Sequence, residues 1–576
     1  MTYQPPIAEM ERLARRRGQD RLAETERFAE ATPETRAAVL EEAGRLAAEV
    51  IAPVNRGSDL HPPRLENGVV RTAPGFAEAY AALAEGGWVG ITADPEHGGM
   101  GLPLSLGILV GEMVASACLS LSLCPLLSQG QIEALESHGS EALKALYLPP
   151  LVSGRWTGTM NLTEPQAGTD VGALRARAEP AGDGSYRVTG QKIWISWGDH
   201  DVAENVVHLV LARLPDAPAG TRGISLFLVP KVIPNADGTL GARNALRPVS
   251  LEHKMGLHGS PTCVMEFDGA TGWMVGEANR GLAAMFTMMN NARLGVGVEG
   301  IAIAEAATQA ALAWAMERVQ GRTTDGTPTI AGHADVRRML MRMKAQTRVA
   351  RTIAFDCALA LDEARAAATA GAREAAARRG AFLTPIAKAY GTDTGSEVAN
   401  LSVQVHGGMG YCEDTGVAQY LRDVRITQIY EGTNGVQAMD LVGRKLTGDA
   451  GATALALIAE AGAAAAPARE AGLDAEAAAL TAAAGRAEAV TRWLLAAGDA
   501  DRAAGSTPYL RLLATLIGAA RLIQAATVAD AAAQDRALAI FWCAHALPEL
   551  HAAAAAATTG AAPLFALDAE TLTTAV

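Results

Sequence analysis

The segment Met160–Asp170, MNLTEPQAGTD, marks the point where the patterning of this 576-residue chain changes. Before it, residues 20 to 155 carry apolar side chains at helical spacing, interrupted by proline and glycine breaks. Beyond it, short β-branched runs such as Val206–Leu211 and Ile224–Val229 alternate with Gly, Pro and Asp turns until about residue 275. The sequence therefore predicts a helical unit followed by an antiparallel β unit.

Helical patterning returns after the β unit. Ala302–Arg318 and Val336–Ala367 are long enough for a helix bundle. The stretch from about residue 450 is rich in alanine, but Leu, Ile and Trp recur there at helical spacing, and alanine is the strongest helix former. We therefore expect an α+β protein with an N-terminal helical domain (1–155), a middle β domain (156–280), a helical bundle (281–446) and an additional helical domain (447–576).

The glycines of Gly295–Gly300, GVGVEG, match the fingerprint of dinucleotide-binding βαβ units, and Glu317 lies near the expected offset for a ribose-binding acid. The preceding residues, Met285–Arg293, follow a helical pattern, and the chain lacks the strand and helix alternation of a doubly wound sheet. We expect these glycines to allow close packing between helices. A nicotinamide dehydrogenase is the less favoured alternative.

Composition excludes several classes of protein. The formal net charge of −13 disfavours a polyanion-binding face, so nucleic acid is not an expected partner. No CxxC pair or HExxH motif occurs, so neither a disulfide framework nor a metal site is expected. No apolar run approaches about 20 residues and no apolar segment follows the basic residues near the start, which predicts no membrane insertion and a cytoplasmic location.

Four segments in the right order resemble motifs of the acyl-CoA dehydrogenase family. They are GWVGI followed by PEHGGMG (87–101), the MNLTEPQAGTD segment, KIWIS (192–196) and IYEGTN (429–434). The resemblance covers residues 35 to 445. It implies the fold of that family, with an N-terminal helical domain, a central antiparallel β-barrel-like domain and a C-terminal helical bundle, and it implies FAD as the cofactor.

The resemblance implies that the MNLTEPQAGTD loop lines the flavin and the thioester. Its backbone amides and the Thr163 hydroxyl can donate to the polar edge of the flavin ring and favour the charge that accumulates there. Trp194 would pack on the ring, and the Ser196 hydroxyl, which stands where Thr is commoner, would approach N5. The cofactor-binding residues implied are Met160, Leu162, Thr163, Gly168, Thr169, Trp194, Ser196, Arg318, Gln404, Gly407, Gly408 and Thr433.

Two further segments resemble the part of the family site that binds the FAD phosphates. Arg318 resembles the arginine that reaches the pyrophosphate, for which a guanidinium is suited by its forked donors. The family usually continues with an aromatic residue and glycine, whereas Gln320–Arg322 follows here, so Arg322 is a second candidate. The segment QVHGGMG (404–410) resembles the turn with which a neighbouring subunit meets the FAD phosphates. We expect a homodimer, because in longer family members the additional domain covers the surface used elsewhere to build tetramers.

Glu431, in IYEGTN, is the catalytic base by this resemblance. A carboxylate facing an apolar acyl pocket loses solvation, so its pKa rises toward neutrality and it can take the α-proton of the substrate. Gly432 would let the substrate come close, and Thr169 and Arg293 complete the implied substrate-binding set. Some members carry the base just before an arginine matching Arg293, but that position here is Ala292.

The implied reaction is FAD-dependent α,β-dehydrogenation of an acyl-CoA to a trans-2-enoyl-CoA, with electron-transfer flavoprotein as the acceptor. Two substrates stay open, a methylthio-substituted short acyl-CoA and an ordinary short- or medium-chain acyl-CoA, because sulfur replaces a methylene with little change in shape. An acyl-CoA oxidase, which passes electrons to oxygen, is an alternative with the same motifs. A non-catalytic scaffold is disfavoured by the intact Glu431 and flavin loop.

Overall fold

The computed structural model describes residues 3–573. The chain divides into two compact units, one formed by the residues up to Ala8 together with Glu26–Gly295, the other by Glu9–Thr25 together with the residues from Val296 onward. The first unit contains helices followed by a sheet, and the second unit is helical. The α+β fold class predicted from the sequence is confirmed.

Several helices that precede the sheet begin where the sequence provides caps. The Thr32 hydroxyl accepts a hydrogen bond from the backbone N–H of Thr35, and Pro33 presets the first helical turn. Ser140 caps the helix Glu141–Val152 in the same way, through the backbone N–H of Leu143. The elements are α1 (Ile7–Arg17), α2 (Pro33–Leu46), α3 (Ala52–Leu60), the hairpin of β1 (Arg64–Glu66) and β2 (Val69–Arg71), α4 (Phe76–Glu85), α5 (Leu104–Ala117), α6 (Leu119–His138) and α7 (Glu141–Val152).

A seven-stranded sheet forms the β part of the first unit. Its strand order is β3-β6-β7-β11-β5-β4, and β10 pairs with β11 off this path. The longest strand, β11, pairs with β5 and β10 along its first part and with β7 at its end. The strands are β3 (Trp156–Asn161), β4 (Arg177–Pro180), β5 (Tyr186–Ser196), β6 (Asn205–Ala212), β7 (Ser225–Pro230), β10 (Leu246–Leu251) and β11 (Thr262–Val275), and β8 (Val232–Pro234) pairs with β9 (Leu240–Arg243) in a separate hairpin.

The sequence predicts a wholly antiparallel sheet, and this prediction is wrong for one pair of strands. β3 and β6 run parallel, because the long connection between them, which contains β4 and β5, lets the chain return in the same direction. Arg213, just after β6, exchanges backbone hydrogen bonds with Ala176 and Ala178 beside β4, both 2.9 Å long. This extra pairing joins the edge strand β4 back to β6, so the sheet curls into a barrel-like form.

Burial on both faces explains why β6 and β7 consist almost entirely of apolar residues. One face packs against α6 and α7, with Trp156 and Leu209 at its centre. The other face, with Val210, Phe227 and Phe267, lines the inside of the curled sheet. The sheet is therefore a rigid support for the loops that leave its strands.

Long helices α8, α9 and α10 form the bundle of the second unit, together with shorter elements that follow α10. α8 is continuous from the first unit into the second. The bounds are α8 (Gly281–Glu317), α9 (Ala334–Ala366), α10 (Ala370–His406), α11 (Gly408–Tyr411), α12 (Val417–Val424), α13 (Asn434–Asp440) and α14 (Leu446–Gly448).

Glycines bring α8 and α10 into backbone contact. A Cβ atom added to Gly300 would lie 2.4 Å from the carbonyl oxygen of Gly391, and one added to Gly391 would lie 2.5 Å from that of Gly297. Gly395 approaches Gly300 equally closely. Any side chain at these positions would separate the helices. The expectation that the GVGVEG glycines serve helix packing is confirmed, and a strand before them is absent from this continuous helix.

The alanine-rich end of the chain is helical, as predicted. Its central helix, α19, is buried along most of its length and packs against α9. Asp356 on α9 joins the two parts, because it accepts hydrogen bonds from Arg521 of α19 (2.8 Å) and from Arg17 (2.6 Å). The helices are α15 (Ala452–Ala463), α16 (Ala465–Glu470), α17 (Asp474–Ala496), α18 (Asp499–Ala504), α19 (Ser506–Thr527), α20 (Ala533–His545), α21 (Glu549–Ala557) and α22 (Ala569–Thr573).

Two helices, α8 and α19, are long and apolar enough to cross a membrane by length and composition alone, and a bent pair, Asn434–Gly448 with Ala452–Glu470, would make a third. Neither helix is an uninterrupted apolar run, because α8 contains Arg293 and Glu299 and α19 contains Arg511 and Arg521. In both helices 78% of the apolar window is buried inside the protein. The absence of membrane insertion stays a prediction.

Candidate active site

Glu431 lies in a short turn between the 3-10 helix Arg425–Gln428 and α13. Its backbone is left-handed, with φ of +54°, and Gly432 follows with φ of +84°. A left-handed conformation is rare for a residue with a side chain and costs about 1 kcal/mol or more. Thr433 then caps α13, because its hydroxyl accepts from the backbone N–H of Val436 at 3.2 Å. We call residues 428–437 the base loop.

The base loop is attached to α10 by one asparagine. The side-chain oxygen of Asn434 accepts from Nζ of Lys388 at 2.9 Å, and its nitrogen donates to Asp393 at 2.7 Å and to Thr392 at 3.0 Å. Gln428, at the other end of the loop, donates to Asp393 as well, at 2.7 Å. Burial raises the pKa of Asp393 despite these two hydrogen bonds. Both ends of the loop therefore rest on the same turns of α10.

A second attachment joins the base loop to α8. The Tyr430 hydroxyl donates a hydrogen bond to Glu299 Oε2, and the Glu299 side chain is buried. The pKa of Glu299 is raised to about 8, chiefly by burial. The Tyr430 hydrogen bond and the charge of Lys388 oppose this increase, and the charge of Glu431 contributes to it. A carboxylic acid, uncharged at neutral pH, thus lies directly behind the residue that precedes Glu431.

Inside the loop, Gln437 closes the turn. Its side-chain nitrogen donates to the carbonyl oxygens of Glu431 at 3.3 Å and of Gly432 at 3.4 Å. These bonds fix the backbone of the left-handed turn from the α13 side. The conformation of Glu431 is therefore set by groups on α8, α10 and α13 together.

The flavin loop of the first unit is held by the strand β5. The backbone N–H of Ile193 donates to the carbonyl oxygen of Thr163 at 2.9 Å, and Nζ of Lys192 donates to that of Leu162 at 3.0 Å. Lys192 also pairs with Glu164 at 2.8 Å. Residues 162–164 are thereby fixed beside Trp194. We call residues 160–170 the flavin loop.

A β-bulge in β5 presents Trp194. Ile193 and Trp194 together face the single residue Val264 of β11, between the pairs of Lys192 with Met265 and of Ile195 with Cys263. Trp194 has φ of +61°, and its side chain is 55% exposed. A bulge with a large aromatic residue on the surface is a common device for aiming a side chain at a ligand.

Glu164, a residue of the flavin loop, anchors the loop to β5 and to the segment before β4. Its carboxylate accepts from Lys192, from the backbone N–H groups of Arg175 (2.7 Å) and Ala176 (3.0 Å) and from Gln166 (2.7 Å). Burial alone would raise the pKa of Glu164, but Lys192 and the two amides outweigh it and lower that pKa below its usual value. The ion pair is almost fully buried, and such a pair is costly to break on one side.

The groups present at the flavin loop fit an isoalloxazine ring. Within residues 3–573, no side-chain hydrogen bond is made by Thr163 or Ser196, so both hydroxyls can donate to a ligand. The half-buried Ser196 lies two residues beyond Trp194 on the same strand. Gly168 and Thr169 are exposed farther along the loop, and Met160, the last residue but one of β3, is buried. An exposed aromatic face can stack on a flavin ring, and the two available hydroxyls can donate to its polar edge.

Arg318 and the glycine turn meet at the far end of the bundle. The guanidinium of Arg318 lies 6.0 Å from the ring centre of Trp314, and Trp314 stacks on His406 at 5.0 Å. His406 ends α10, and the exposed Gln404, Gly407 and Gly408 adjoin it. The residues expected to bind the FAD phosphates therefore form one exposed group, the phosphate cluster, which we define as Arg318, Gln404, Gly407 and Gly408.

Arg293 is buried in α8 within the first unit. Its guanidinium lies 5.9 Å from the ring centre of Phe286 and contacts Asn290 at 3.5 Å. The predicted residues thus fall into three groups, at the flavin loop, the base loop and the phosphate cluster. Sequence reasoning did not identify Glu299, Lys388, Asp393 or Glu164 as supporting residues. A charged residue within the apolar GVGVEG stretch was the available signal for Glu299, but only the glycines were considered.

Family models match four segments of the chain. Models of the N-terminal, middle and C-terminal domains of acyl-CoA dehydrogenase match residues 32–155, 159–270 and 279–446, and a model described as "Acetyl-CoA dehydrogenase C-terminal like" matches residues 455–568. The 3-methylmercaptopropionyl-CoA dehydrogenase of Ruegeria pomeroyi is 46% identical over 541 residues, which cover 92% of each chain. The chain belongs to the acyl-CoA dehydrogenase family.

Two other relatives extend the comparison. A butyryl-CoA dehydrogenase of Syntrophomonas wolfei is 36% identical over 70% of this chain and 68% of its own length. The structure of an acyl-CoA dehydrogenase from Bacillus anthracis complexed with FAD covers 92% of this chain and 88% of its own, with a TM-score of 0.74 and 20% identity. As a member of this family, the 576-residue chain is an oxidoreductase that acts on a CH–CH bond and uses FAD.

Proposed function

We propose that this acyl-CoA dehydrogenase converts 3-methylmercaptopropionyl-CoA to methylthioacryloyl-CoA, a step in dimethylsulfoniopropionate breakdown. The observation that carries the proposal is the 46% identity to the Ruegeria pomeroyi enzyme of that name over 92% of both chains. A match over 92% of the chain must include most of the additional C-terminal domain, whereas the match to the butyryl-CoA dehydrogenase covers 70% of the chain.

Glu431 is the proposed base. Its left-handed backbone, fixed from three helices, is the kind of strain that structures keep at functional positions. As a carboxylate it would take the α-proton, which is otherwise barely acidic. The absence of a side chain at Gly432 leaves room for the thioester beside it, and Ala292 cannot replace Glu431 as a base.

FAD, when bound, supplies the acceptor for the β-hydrogen and its electron pair. Trp194, Thr163 and Ser196 would hold the ring, because they combine an exposed aromatic face with two hydroxyls that have no other partner among residues 3–573. The phosphate cluster would hold the phosphates through a guanidinium and backbone amides. The remaining proposed contacts to FAD or acyl-CoA come from Met160, Leu162, Gly168, Thr169, Arg293 and Thr433.

The partners follow from the same reasoning. The phosphate cluster is exposed, and its glycine turn resembles the turn that family members offer to the FAD of a neighbouring subunit, which supports a homodimer. Electron-transfer flavoprotein is the proposed electron acceptor, and the cytoplasm is the proposed location. Both proposals rest on the family resemblance.

A short straight-chain acyl-CoA is the second candidate substrate, since a butyryl-CoA dehydrogenase is 36% identical over 70% of the chain. The two candidates differ by one sulfur in place of a methylene. Apolar pockets discriminate such pairs by only about 10- to 200-fold. The pocket must therefore be tested with matched substrates.

The test is a kinetic comparison of 3-methylmercaptopropionyl-CoA, its carbon isostere pentanoyl-CoA and butyryl-CoA, with a ferrocenium acceptor. We expect the highest kcat/KM for the methylthio substrate, about tenfold above the isostere. A lower value than that for either straight-chain substrate would overturn the substrate assignment. Hydrogen peroxide formed at a comparable rate without the acceptor would identify an oxidase instead.

A further inference from the structure

Glu299 is a buried acid in an apolar stretch of α8. Its side chain is 2% exposed, and its Oε2 accepts the hydroxyl proton of Tyr430. Its second oxygen, Oε1, has no hydrogen-bond partner within the described residues. A buried carboxylate with one oxygen that accepts no hydrogen bond carries a high desolvation cost. A protonated carboxyl group avoids the charge, because its proton can lie on that oxygen.

The charged groups that act on Glu299 come from two other elements. Lys388 of α10 favours its ionised form, whereas Glu431 of the base loop opposes it. Lys388 also donates a hydrogen bond to the side-chain oxygen of Asn434, at 2.9 Å. Burial is the largest influence on the group, so Glu299 is protonated at neutral pH.

The position of Tyr430 makes this contact relevant to catalysis. Tyr430 precedes the left-handed Glu431 directly, so the direction of its side chain and the backbone of Glu431 cannot change independently. Glu299 is the only hydrogen-bond acceptor of the Tyr430 hydroxyl among the contacts of residues 3–573. This hydrogen bond therefore links the base loop to α8.

We propose that Glu299 is a positioning residue for the base: it holds the left-handed turn at Glu431 through Tyr430, and the negative charge it acquires beside Glu431 at alkaline pH sets the upper pH limit of the enzyme. This inference rests on the proposed role of Glu431. Ionisation of Glu299 places a second negative charge behind the turn. It repels the Glu431 carboxylate and requires water to enter, so the turn loosens and turnover falls.

Replacing Glu299 by glutamine tests the proposal. The amide oxygen still accepts from Tyr430, but the group no longer titrates. In the wild-type holoenzyme kcat/KM should decline above pH of about 8, approaching tenfold per pH unit as for a single ionisation. In E299Q this decline should disappear. Glu374→Gln, an exposed glutamate on α10, serves as the control and should keep the wild-type profile.

Stability gives a readout that does not depend on activity. The pKa of Glu299 is near 8 in the folded protein and 4.5 unfolded, so folding keeps a proton that the unfolded chain releases. The contribution of Glu299 to the free energy of unfolding is complete below pH of about 4.5 and is lost as the pH rises toward 8. The Tm of E299Q relative to wild type should therefore increase steadily from pH 5 to pH 8.

Tyr430→Phe completes the test. The Tyr430 hydroxyl lowers the pKa of Glu299, so its removal should move the alkaline decline of kcat/KM to higher pH. E299Q, in contrast, should abolish the decline. An unchanged decline in E299Q, with Tm curves parallel to wild type, would overturn the proposal. Failure of Glu431 as the base would appear separately, as activity retained by Glu431→Gln, and would leave the Tm result unaffected.

Discussion

Two large residues of the candidate site have positive φ, Trp194 in β5 beside the flavin loop at +61° and Glu431 in the base loop at +54°, and different forces hold the two loops. At the flavin loop the contacts are backbone hydrogen bonds to β5 and an almost fully buried ion pair between Lys192 and Glu164. At the base loop they are mostly side-chain amide and hydroxyl contacts, with the protonated Glu299 among them.

The difference reflects what each loop must do. A ring-binding surface stays the same throughout the reaction, so full charges at Lys192 and Glu164 can lie beneath it without disturbing the chemistry. A base alternates between charged and neutral forms, and every fixed charge nearby shifts that balance. Neutral side chains, those of Asn434 and Gln437, make the hydrogen bonds that hold the base loop on the side of α10 and α13. We expect the two loops to fail differently when single residues are changed.

The largest effect should come from Glu431→Gln. The amide keeps the shape of the side chain, so the supports of the base loop are expected to survive, but it cannot take a proton. We expect kcat to fall by about 10³- to 10⁴-fold with FAD content unchanged. Stopped-flow reduction of the bound flavin by substrate measures this directly. Reduction at more than a tenth of the wild-type rate would show that the base is another residue.

The sequence predicted more of the base loop than of its supports. IYEGTN is a local motif, so Glu431 could be identified from adjacent residues. Tyr430 and Glu299 are 131 positions apart, and Lys388 and Asn434 are 46 apart, so no spacing in the sequence links them. The GVGVEG glycines were interpreted correctly because helical periodicity around them is local.

The sheet shows the same limit. Strands β5, β6 and β7 were predicted from their own residues, but the parallel pairing of β3 with β6 was not, because the partner of a strand depends on the path of a long connection. The bulge at Trp194 depends in turn on its pairing with β11. Local chemistry could be predicted, whereas the pairing of distant segments could not.

Lys192→Met should produce the next largest effect. It leaves the buried Glu164 with its amide donors but without a countercharge, which costs about 3–5 kcal/mol of unfolding free energy. Urea unfolding measures the change, and FAD content should fall because Leu162 loses its contact with Nζ. Arg247→Met, which breaks an exposed ion pair with Glu266, is the control and should cost no more than about 1 kcal/mol. Equal losses for the two variants would contradict the role assigned to the buried pair.

The smallest effect tests the helix contact beneath the base loop. A Cβ atom in Gly391→Ala would lie 2.5 Å from the carbonyl oxygen of Gly297, so α10 must move away from α8 at a cost of about 1–3 kcal/mol. That movement displaces Lys388 and Asp393, so kcat should fall more than FAD content does. Gly371→Ala, in the same helix with no atom within 4 Å, should instead stabilise the protein by up to about 1 kcal/mol. If both variants were equally active and stable, the base loop would not depend on the spacing of α8 and α10, and its geometry would have to come from Asn434 and Gln437 alone.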